Sequence, residues 1–449
     1  MANWDEDSLT MAVAAARDLP GIERPGGLSA VFIASTTLPF ADRQNAGVLA
    51  TALNLDESVS TLDVTGSQRC ATSGLIQALR ALGSEGKTLF VAAEERRTKA
   101  ASTLELLTGD GAAALLLGRE DIIAEFVGSH QLTVDFVDHY RSAHDAFDYS
   151  WEERWIRDEG YLKIVPRAIK ALLDREEVAA SRIAYFILPC TFPKLAQRIA
   201  KMLGIGEAAV ADNLDGKVGD TGAAHSLLLL AHALEQARPG EHILVAGFGQ
   251  GCDALLFRTT ERLASFSPRL GIRGHLERKR LESNYHRFLA FRNLVEREKG
   301  IRAEADIRAP LSTLYRNRRL ATALIGGRCR QCGTAQLPKG HVCVNPQCGA
   351  FESQEDYCFA DRRAHVQSWT ADRLTYSPDP PTYFGMVVFE EGGRLIADLT
   401  DVDASSIKVG MPVNMVFRIK HYDELRHFAK YFWKAAPQTA GDSDGQKNH

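Results

Sequence analysis

The chain has 449 residues, enough for about two to three domains of ordinary size. Its formal net charge of −4 gives no basic surface of the kind that binds nucleic acids or anionic membranes. The first ten residues, MANWDEDSLT, are acidic and lack the apolar core of a secretory signal, and the longest apolar runs are too short to span a bilayer. We therefore expect a soluble, cytoplasmic protein that binds neither nucleic acid nor membrane.

Residues 1–260 alternate short β-rich runs with helical patterns, and the runs recur at a fixed interval. AVFIAS at Ala30 recurs as AYFILP at Ala184, and LFVAAE at Leu89 recurs as ILVAGF at Ile243, an offset of 154 in both cases. The shared offset predicts a duplicated α/β unit with halves at about 1–120 and 121–260. A chance likeness between buried strands is the alternative.

The first half is one strand short of the second. In the second half a strand-like run, DIIAEFVGSHQLTV, precedes the helical run LKIVPRAIKALL. Its first-half counterpart, LTMAVAAARDL, begins at Leu9 and leaves no room for a matching strand. Either the chain starts late or this strand is dispensable, and the sequence leaves both possibilities open.

A single cysteine stands where a strand gives way to a helix, in DVTGSQRCATSGLI. Cys70 begins the helical pattern, and the offset of 154 pairs it with Ala224 in the second glycine-rich helix start, GKVGDTGAAHSL. If the halves pair about a pseudo-twofold axis, the two helix N-termini converge on one site. A helix N-terminus depresses the pKa of a thiol, so the position suits a nucleophile. A small buried hydrophobic residue is the alternative.

These features resemble the thiolase superfamily, and within it 3-hydroxy-3-methylglutaryl-CoA synthase and β-ketoacyl-acyl-carrier-protein synthase III. The resemblance covers residues 4–260 and rests on WDEDSLTMAVAAA, GDGAAALLLG, RIAKMLGI and VGDTGAAHS, in the family's order. It implies a five-layered α/β/α/β/α sandwich and acyl transfer from a CoA or carrier thioester to Cys70, followed by formation or cleavage of a carbon–carbon bond. The implied partners are an acyl-CoA or acyl-carrier substrate and a second subunit, in a homodimer or with another thiolase-like chain.

The other catalytic residues that the family has beside this cysteine are replaced. The resemblance places a glutamate after FIAST, where Thr36 stands, and a histidine after YFILP, where Pro189 and Cys190 stand. A general base must reach the proton that it removes. Asp220, in place of the asparagine of GNT, and His225 are the candidates, although a lone histidine on an apolar helix is more often a satisfied core residue.

Residues 261–325 are highly charged, with apolar residues at helical spacing, and predict a helical linker. A cysteine cluster with the spacing C-x2-C-x10-C-x4-C follows. Four thiolates at such spacing predict a closed, tetrahedral and therefore structural Zn²⁺ site in a zinc ribbon at 326–352. The predicted ligands are Cys329, Cys332, Cys343 and Cys348.

Alternating strand-like runs fill residues 353–436, and Gly392 and Gly393 predict a hairpin turn between two of them. The ribbon and these strands together resemble the zinc ribbon plus OB-fold β-barrel module that accompanies thiolase-like proteins. Such a module could cap the substrate channel or hold CoA. Residues 437–449 are expected to form a disordered tail.

The favoured prediction is an acyl-CoA acyltransferase that forms or cleaves a carbon–carbon bond through an acyl-enzyme on Cys70. A retro-aldol lyase that acts on a CoA thioester without an acyl-enzyme, using Asp220 or another base, is one alternative. The other is a non-catalytic scaffold or channelling subunit, which the replaced histidine and glutamate favour.

Overall fold

The structure of the chain is a computed structural model. It describes residues 1–438 apart from 22–26, 84–85, 302–307 and 309. Residues 439–449 of the predicted tail therefore lie outside the described residues, whereas Pro437 is the last residue of the final strand. Within the described part of the chain, no helix combines the length and the hydropathy that a membrane span requires.

The first half alternates helices and strands as its sequence pattern predicts. An Asp7–Thr10 capping box begins the first helix. The elements are α1 (Ser8–Arg17), β1 (Leu28–Ala34), α2 (Asn45–Ala52), β2 (Ser60–Val64), α3 (Cys70–Arg80), β3 (Lys87–Glu95), α4 (Thr103–Leu107) and β4 (Asp110–Leu117).

The second half repeats this pattern with additions before its first long helix. The elements are β5 (Ala124–Thr133), β6 (His139–Tyr140), β7 (Tyr149–Ser150), α5 (Glu153–Trp155), a π-helical segment (Ile156–Tyr161), α6 (Leu162–Arg175), β8 (Ile183–Ile187), α7 (Leu195–Leu203), α8 (Asp215–Val218), a 3₁₀ turn (Gly222–Ala224), α9 (His225–Leu234), β9 (His242–Phe248) and β10 (Gly251–Thr259).

The two halves form two sheets, in which β1-β3-β4 of the first corresponds to β8-β9-β10 of the second. The first sheet runs β2-β1-β3-β4, with β1, β2 and β3 parallel and β4 antiparallel. The second runs β8-β9-β10-β5, and β10 is antiparallel to both of its neighbours. Among the described residues nothing pairs with β4 in the place that β5 takes beside β10, so the first sheet lacks the strand that the repeat predicts.

Three apolar cores separate five layers. The core between the sheets contains α3 and α9, which contact both of them. The core on the outer face of the first sheet contains α1 and α2, and the core on the outer face of the second contains α6 and α7. Helices thus cover both faces of each sheet, and the predicted α/β/α/β/α sandwich is confirmed.

A cleft of about 1470 Å³ follows the unpaired edge of β4. Its walls come from β4, α9, the first linker helix and the C-terminal barrel. This edge of β4 corresponds to the edge of β10 with which β5 pairs in the second sheet. The cleft is thus the position in which a further strand would complete the first sheet.

Four short α-helices form the described part of the predicted linker. They are α10 (Gly271–Glu277), α11 (Tyr285–Phe291), α12 (Leu311–Arg316) and α13 (Arg318–Ala321). The linker returns to the first sheet, because Arg292 forms a 2.6 Å ion pair with Asp110 at the start of β4.

The C-terminal module consists of a three-stranded ribbon sheet and a closed five-stranded barrel. The ribbon strands are β11 (Ile325–Cys329), β12 (Ala335–Gln336) and β13 (Gln354–Cys358). The barrel strands are β14 (Ala364–Asp372), β15 (Thr382–Phe389), β16 (Arg394–Leu399), β17 (Pro412–Asp423) and β18 (Phe428–Pro437). β13, which follows the predicted end of the ribbon at residue 352, pairs with β11 of the ribbon sheet.

The barrel packs on α1 and the residues before it. The side chain of Lys434 forms a 2.9 Å ion pair with Asp5, and the hydroxyl of Tyr431 donates a 2.6 Å hydrogen bond to Asp7. Arg17 pairs with Asp361 and lies over the ring of Trp433. The barrel therefore covers α1, which lies on the other face of the first sheet from α3 and Cys70.

Candidate active site and metal centre

The N-terminus of α3 is fixed by a buried carboxylate from the second sheet. Asp253 on β10 is fully buried and accepts hydrogen bonds from Arg69 at 2.7 Å, Thr72 at 2.9 Å and Ser73 at 2.5 Å. A Cβ added at Gly247 would lie 2.5 Å from the Thr72 hydroxyl, so β9 needs glycine to approach the helix this closely. These contacts fix the backbone on both sides of Cys70.

The two helix starts converge, as the repeat predicts. The 3₁₀ turn Gly222–Ala224 that leads into α9 contacts both α3 and β3. Gly222 has φ +55°, and an added Cβ would lie 2.9 Å from Arg96 Cδ and 3.0 Å from Glu94 Cγ. Glycine thus lets the second-half helix start approach the end of β3.

Cys70 is the first residue of α3, and its side chain is 3 % exposed. The prediction that the helix N-terminus lowers the pKa of Cys70 below its ordinary value is wrong. Burial raises the pKa of the Cys70 thiol well above its ordinary value, the nearby negative charge of Glu94 raises it further, and hydrogen bonds from the backbone N–H groups of Ala71 and Cys70 lower it only in part. The helix N-terminus does not compensate for the loss of water.

A carboxylate that the sequence pattern did not single out acts on Cys70 through its negative charge. This residue, Glu94, is the penultimate residue of β3 and is fully buried. Its Oε1 accepts a hydrogen bond from the Thr36 hydroxyl at 2.9 Å, and its Oε2 accepts one from the Thr36 backbone N–H at 3.1 Å. The resemblance places a glutamate at the position of Thr36, and the Glu94 carboxylate, from the neighbouring strand β3, lies against that residue. The adjacent acids Glu94 and Glu95 at the end of a buried strand were the available signal, since one of two successive strand residues faces each side of a sheet.

Asp220 lies nearby but is engaged in an ion-pair network. Its Oδ2 is 3.5 Å from Arg96 Nη1, and its Oδ1 accepts a hydrogen bond from the Gly222 N–H at 2.9 Å. Arg96, 7 % exposed, also pairs with Asp148 at 2.7 Å. Asp220 therefore positions the turn before α9, and Asp220 and Asp148 both form ion pairs with Arg96.

The contacts of His225 contradict its expected role as a general base. Its Nδ1 accepts a hydrogen bond from the Thr221 backbone N–H at 3.1 Å, and its Nε2 lies 2.9 Å from the carbonyl oxygen of Asn213, to which it donates. The side chain is 1 % exposed. Both ring nitrogens are thus occupied by backbone groups, as in a structural core histidine.

Cys190 and Cys252 are packing residues in the core beneath the second sheet. Cys190 stands where the family histidine was expected, and its sulfur accepts a hydrogen bond from the Phe192 N–H at 3.2 Å. Burial raises the pKa of Cys190 to about 12. Cys252 is fully buried on β10, as expected for a packing residue.

The four ribbon cysteines form one cluster. Their sulfurs all lie within 4.8 Å of one another, with Cys329 to Cys348 at 3.9 Å and Cys332 to Cys343 at 3.5 Å. A tetrahedral site with Zn–S bonds of about 2.3 Å requires sulfurs about 3.8 Å apart, so the spacing fits Zn²⁺. Gly333, with φ +76°, closes the first turn by donating its N–H to the carbonyl of Cys329. These thiols are the ligand set of a structural zinc ion, and four of them leave no open position for a substrate.

The fold and these sites define a thiolase-like α/β sandwich joined to a zinc ribbon and an OB-fold barrel, and family models match the second half of the sandwich, the ribbon and the barrel. The C-terminal domain of 3-oxoacyl-[acyl-carrier-protein] synthase III matches residues 173–258. The rubredoxin-like zinc ribbon of ChsH2 matches 320–353, and the C-terminal OB-fold domain of ChsH2 matches 359–418.

Relatives and solved structures cover the sandwich. The chain is 29 % identical to hydroxymethylglutaryl-CoA synthase of Aeropyrum pernix over 289 residues, 63 % of this chain and 80 % of the relative. It is 27 % identical to that of Thermoplasma volcanium over 266 residues, 58 % and 76 % of the two chains. A structure of HMG-CoA synthase complexed with CoA superposes with a TM-score of 0.54 at 15 % identity, covering 80 % of this chain and 89 % of the other. The last likeness shows the fold alone.

Proposed function

We propose that the chain is an acyl-CoA acyltransferase of the thiolase superfamily that forms or cleaves a carbon–carbon bond through an acyl-enzyme on Cys70. The observation that carries the proposal is the position of Cys70 at the first residue of α3, between the sheets and beside the second-half helix start. The hydroxymethylglutaryl-CoA synthases to which the chain is similar, and the CoA-bound structure with the same fold, support a CoA thioester as the substrate.

The residues around Cys70 supply two elements of this chemistry. The backbone N–H groups of Ala71 and Cys70 at the start of α3 lower the pKa of the Cys70 thiol and so favour its thiolate form, although burial outweighs them. The thiolate attacks the thioester carbonyl, the C–S bond to CoA breaks, and the acyl group remains on Cys70. The apolar core around α3 and α9 excludes water from the acyl-enzyme, which limits its hydrolysis before the carbon–carbon step.

Intact mass spectrometry after incubation with short-chain and aromatic acyl-CoAs tests the proposal. We expect an adduct of the acyl mass, which peptide mapping assigns to Cys70. Cys70→Ala should lose both the adduct and turnover, and Cys252→Ala is the matched control because it removes another buried thiol of the same domain. Full turnover by Cys70→Ala would reject the acyl-enzyme.

The burial of Cys70, which raises the pKa of its thiol, favours a second candidate, a retro-aldol lyase acting on a CoA thioester. In this mechanism Cys70 stays a thiol, and a carboxylate of the central layer removes the hydroxyl proton of a β-hydroxyacyl-CoA. The oxygen becomes a carbonyl as the carbon–carbon bond breaks, the electron pair of that bond remains on the thioester as its enolate, and the enolate takes up the proton to give an acyl-CoA. A Cys70→Ala variant that cleaves such a thioester at the wild-type rate would favour the lyase. The absence of any turnover or binding of acyl-CoA would favour the scaffold.

A second subunit, either another copy or a different thiolase-like chain, is part of the proposal through the resemblance alone. Light scattering coupled to size-exclusion chromatography measures the mass in solution. A mass of about 49 kDa, that of one chain, would contradict it.

A further inference from the structure

Arg69, the residue before Cys70, joins the start of α3 to the second half of the sandwich. Its Nη1 donates a hydrogen bond to Asp253 on β10 at 2.7 Å, and its Nε donates one to the carbonyl oxygen of Gly249 at 2.8 Å. Its Nη2 lies 3.4 Å from the carbonyl oxygen of Gln250. Gly249 and Gln250 connect β9 to β10 and are called the β9–β10 turn below. One side chain, 12 % exposed, therefore binds both this turn and the strand that follows it.

The end of β9 and the β9–β10 turn run beside Cys70. A Cβ added at Gly247 would lie 2.5 Å from the Thr72 hydroxyl, and one added at Gly249 would lie 3.3 Å from the backbone nitrogen of Arg69. The first contact lies just after Cys70 in the chain, and the second lies just before it. A displacement of the turn therefore changes the immediate surroundings of Cys70.

The β9–β10 turn has a backbone conformation that its surroundings must stabilise. Gln250 has φ +53°, in the left-handed region that residues other than glycine rarely adopt. Its carbonyl oxygen lies near Arg69 Nη2 and accepts a hydrogen bond from the Val134 N–H at 3.3 Å. Such a conformation persists only where neighbouring contacts determine it, and it is frequent at functional sites. The contacts from Arg69 are among those that keep this turn in place.

Arg69 makes two kinds of contact, which a substitution can separate. Its charge pairs with the buried Asp253, whose further hydrogen bonds, from Thr72 and Ser73, stabilise α3. Its planar fork of donors also reaches the carbonyl oxygens of the β9–β10 turn. A lysine places its charge at one point and lacks the fork. Arg69→Lys therefore keeps an ion pair with Asp253 but loses donors to the turn.

We propose that Arg69 is a positioning residue of the acyl transfer, which holds the β9–β10 turn against Cys70 while the thiol attacks the thioester. This rests on the proposed function, whose nucleophile is Cys70. In this role Arg69 exchanges no proton and forms no bond with the substrate. It acts through the turn, which borders the residues next to Cys70. Because a misplacement of about 1 Å can slow a reaction about 10²-fold, small movements of the turn suffice to change the rate.

Single-turnover acylation of Cys70 by acyl-CoA, followed by intact mass spectrometry, tests the proposal. Arg69→Lys should be acylated about 10- to 100-fold more slowly than the wild type. The acyl-CoA concentration that gives the half-maximal rate and the melting temperature should both stay close to those of the wild type. Arg258→Lys is the matched control, because Arg258 on β10 pairs with Glu125 on β5 at 2.7 Å and both side chains are about half exposed. Its rate should stay within about twofold of the wild type.

A second variant serves if Arg69→Lys does not fold. Arg69→Gln combined with Asp253→Asn removes both charges of the pair together, so no buried charge is left without a partner. This double variant should show the same slow acylation. A wild-type rate in either folded variant overturns the proposal. Loss of the fold in both variants would show that Arg69 serves the fold and not the reaction, and would overturn it as well.

Hydrogen–deuterium exchange provides a readout that needs no substrate. In Arg69→Lys the backbone amides of the β9–β10 turn should exchange faster than in the wild type. Those of α3 should not, because Asp253 still accepts hydrogen bonds from Thr72 and Ser73. Unchanged exchange in the turn, or exchange that rises equally throughout the sandwich, overturns the proposal. The absence of any adduct on wild-type Cys70 would instead contradict the proposed function, and the exchange result would still decide whether Arg69 holds the turn.

Discussion

Replacement of Asp253 by alanine tests how firmly the site depends on contacts between the two halves. Asp253 is fully buried, and its partner Arg69 is 12 % exposed at the side chain. Removing one member of a buried ion pair costs about 3–5 kcal/mol, because the other charge stays buried without its partner. Arg69 keeps a 2.8 Å hydrogen bond from its Nε to the carbonyl of Gly249, so we expect the lower end, about 3 kcal/mol.

Denaturant unfolding measures this loss, and Glu125→Ala provides the matched control. Glu125 on β5 pairs with Arg258 on β10 at 2.7 Å, but both side chains are about half exposed, so its removal should cost about 0–1 kcal/mol. Asp253→Ala should also slow acylation of Cys70, because the α3 hydroxyls of Thr72 and Ser73 lose their shared acceptor on β10. A loss below about 1 kcal/mol in Asp253→Ala would show that the halves do not depend on this anchor.

Three further predictions concern the metal, the first sheet and pH. Elemental analysis of protein purified without added metal should show one zinc ion per chain. The Cys343→Ser variant should lose this zinc, and its ribbon should unfold. A wild-type protein without zinc but with a native ribbon would refute the site. The N–H of Ala2 donates a hydrogen bond to Asp110 at the start of β4, so a segment joined ahead of Met1 begins beside the unpaired edge of that strand. Fusion of the β5 sequence there through a short linker should therefore raise the melting temperature above that of a fusion with a scrambled sequence. Equal melting temperatures would show that the strand is dispensable. Burial and the charge of Asp110 raise the pKa of Glu95 to about 7, although the charge of Arg292 lowers it. Between about pH 4.5 and pH 7 the folded state therefore keeps a proton on Glu95 that the unfolded state releases. The free energy of unfolding should fall by up to about 3 kcal/mol across this range as the pH rises. Glu95→Gln should remove this slope in unfolding measurements, and an unchanged slope would contradict the assignment.

The layered fold was predictable because its signals are local. The period of the strands, the offset of 154 and the absence of a strand before α1 all lie in the order of residues, and each has a counterpart in the two sheets. The cysteine spacing likewise predicted a cluster that the ribbon turns bring together.

The chemistry of the site was less accessible because its partners are distant in sequence. His225 is engaged by a carbonyl at Asn213, and Asp220 by Arg96, which lies 124 residues away. The pKa of Cys70 depends on burial between two sheets, a tertiary property that outweighs the helix N-terminus predicted from the sequence. Glu94 is the penultimate residue of a strand whose inner and outer faces could not be distinguished before the layers were known.

The rate of acyl transfer from acyl-CoA to Cys70, followed by intact mass spectrometry in a single turnover, tests the central claim most directly. We expect an acyl adduct on Cys70 in the wild type and none in Cys70→Ala. A wild-type chain that turns over acyl-CoA without any adduct on Cys70, matched by a fully active Cys70→Ala, would contradict it.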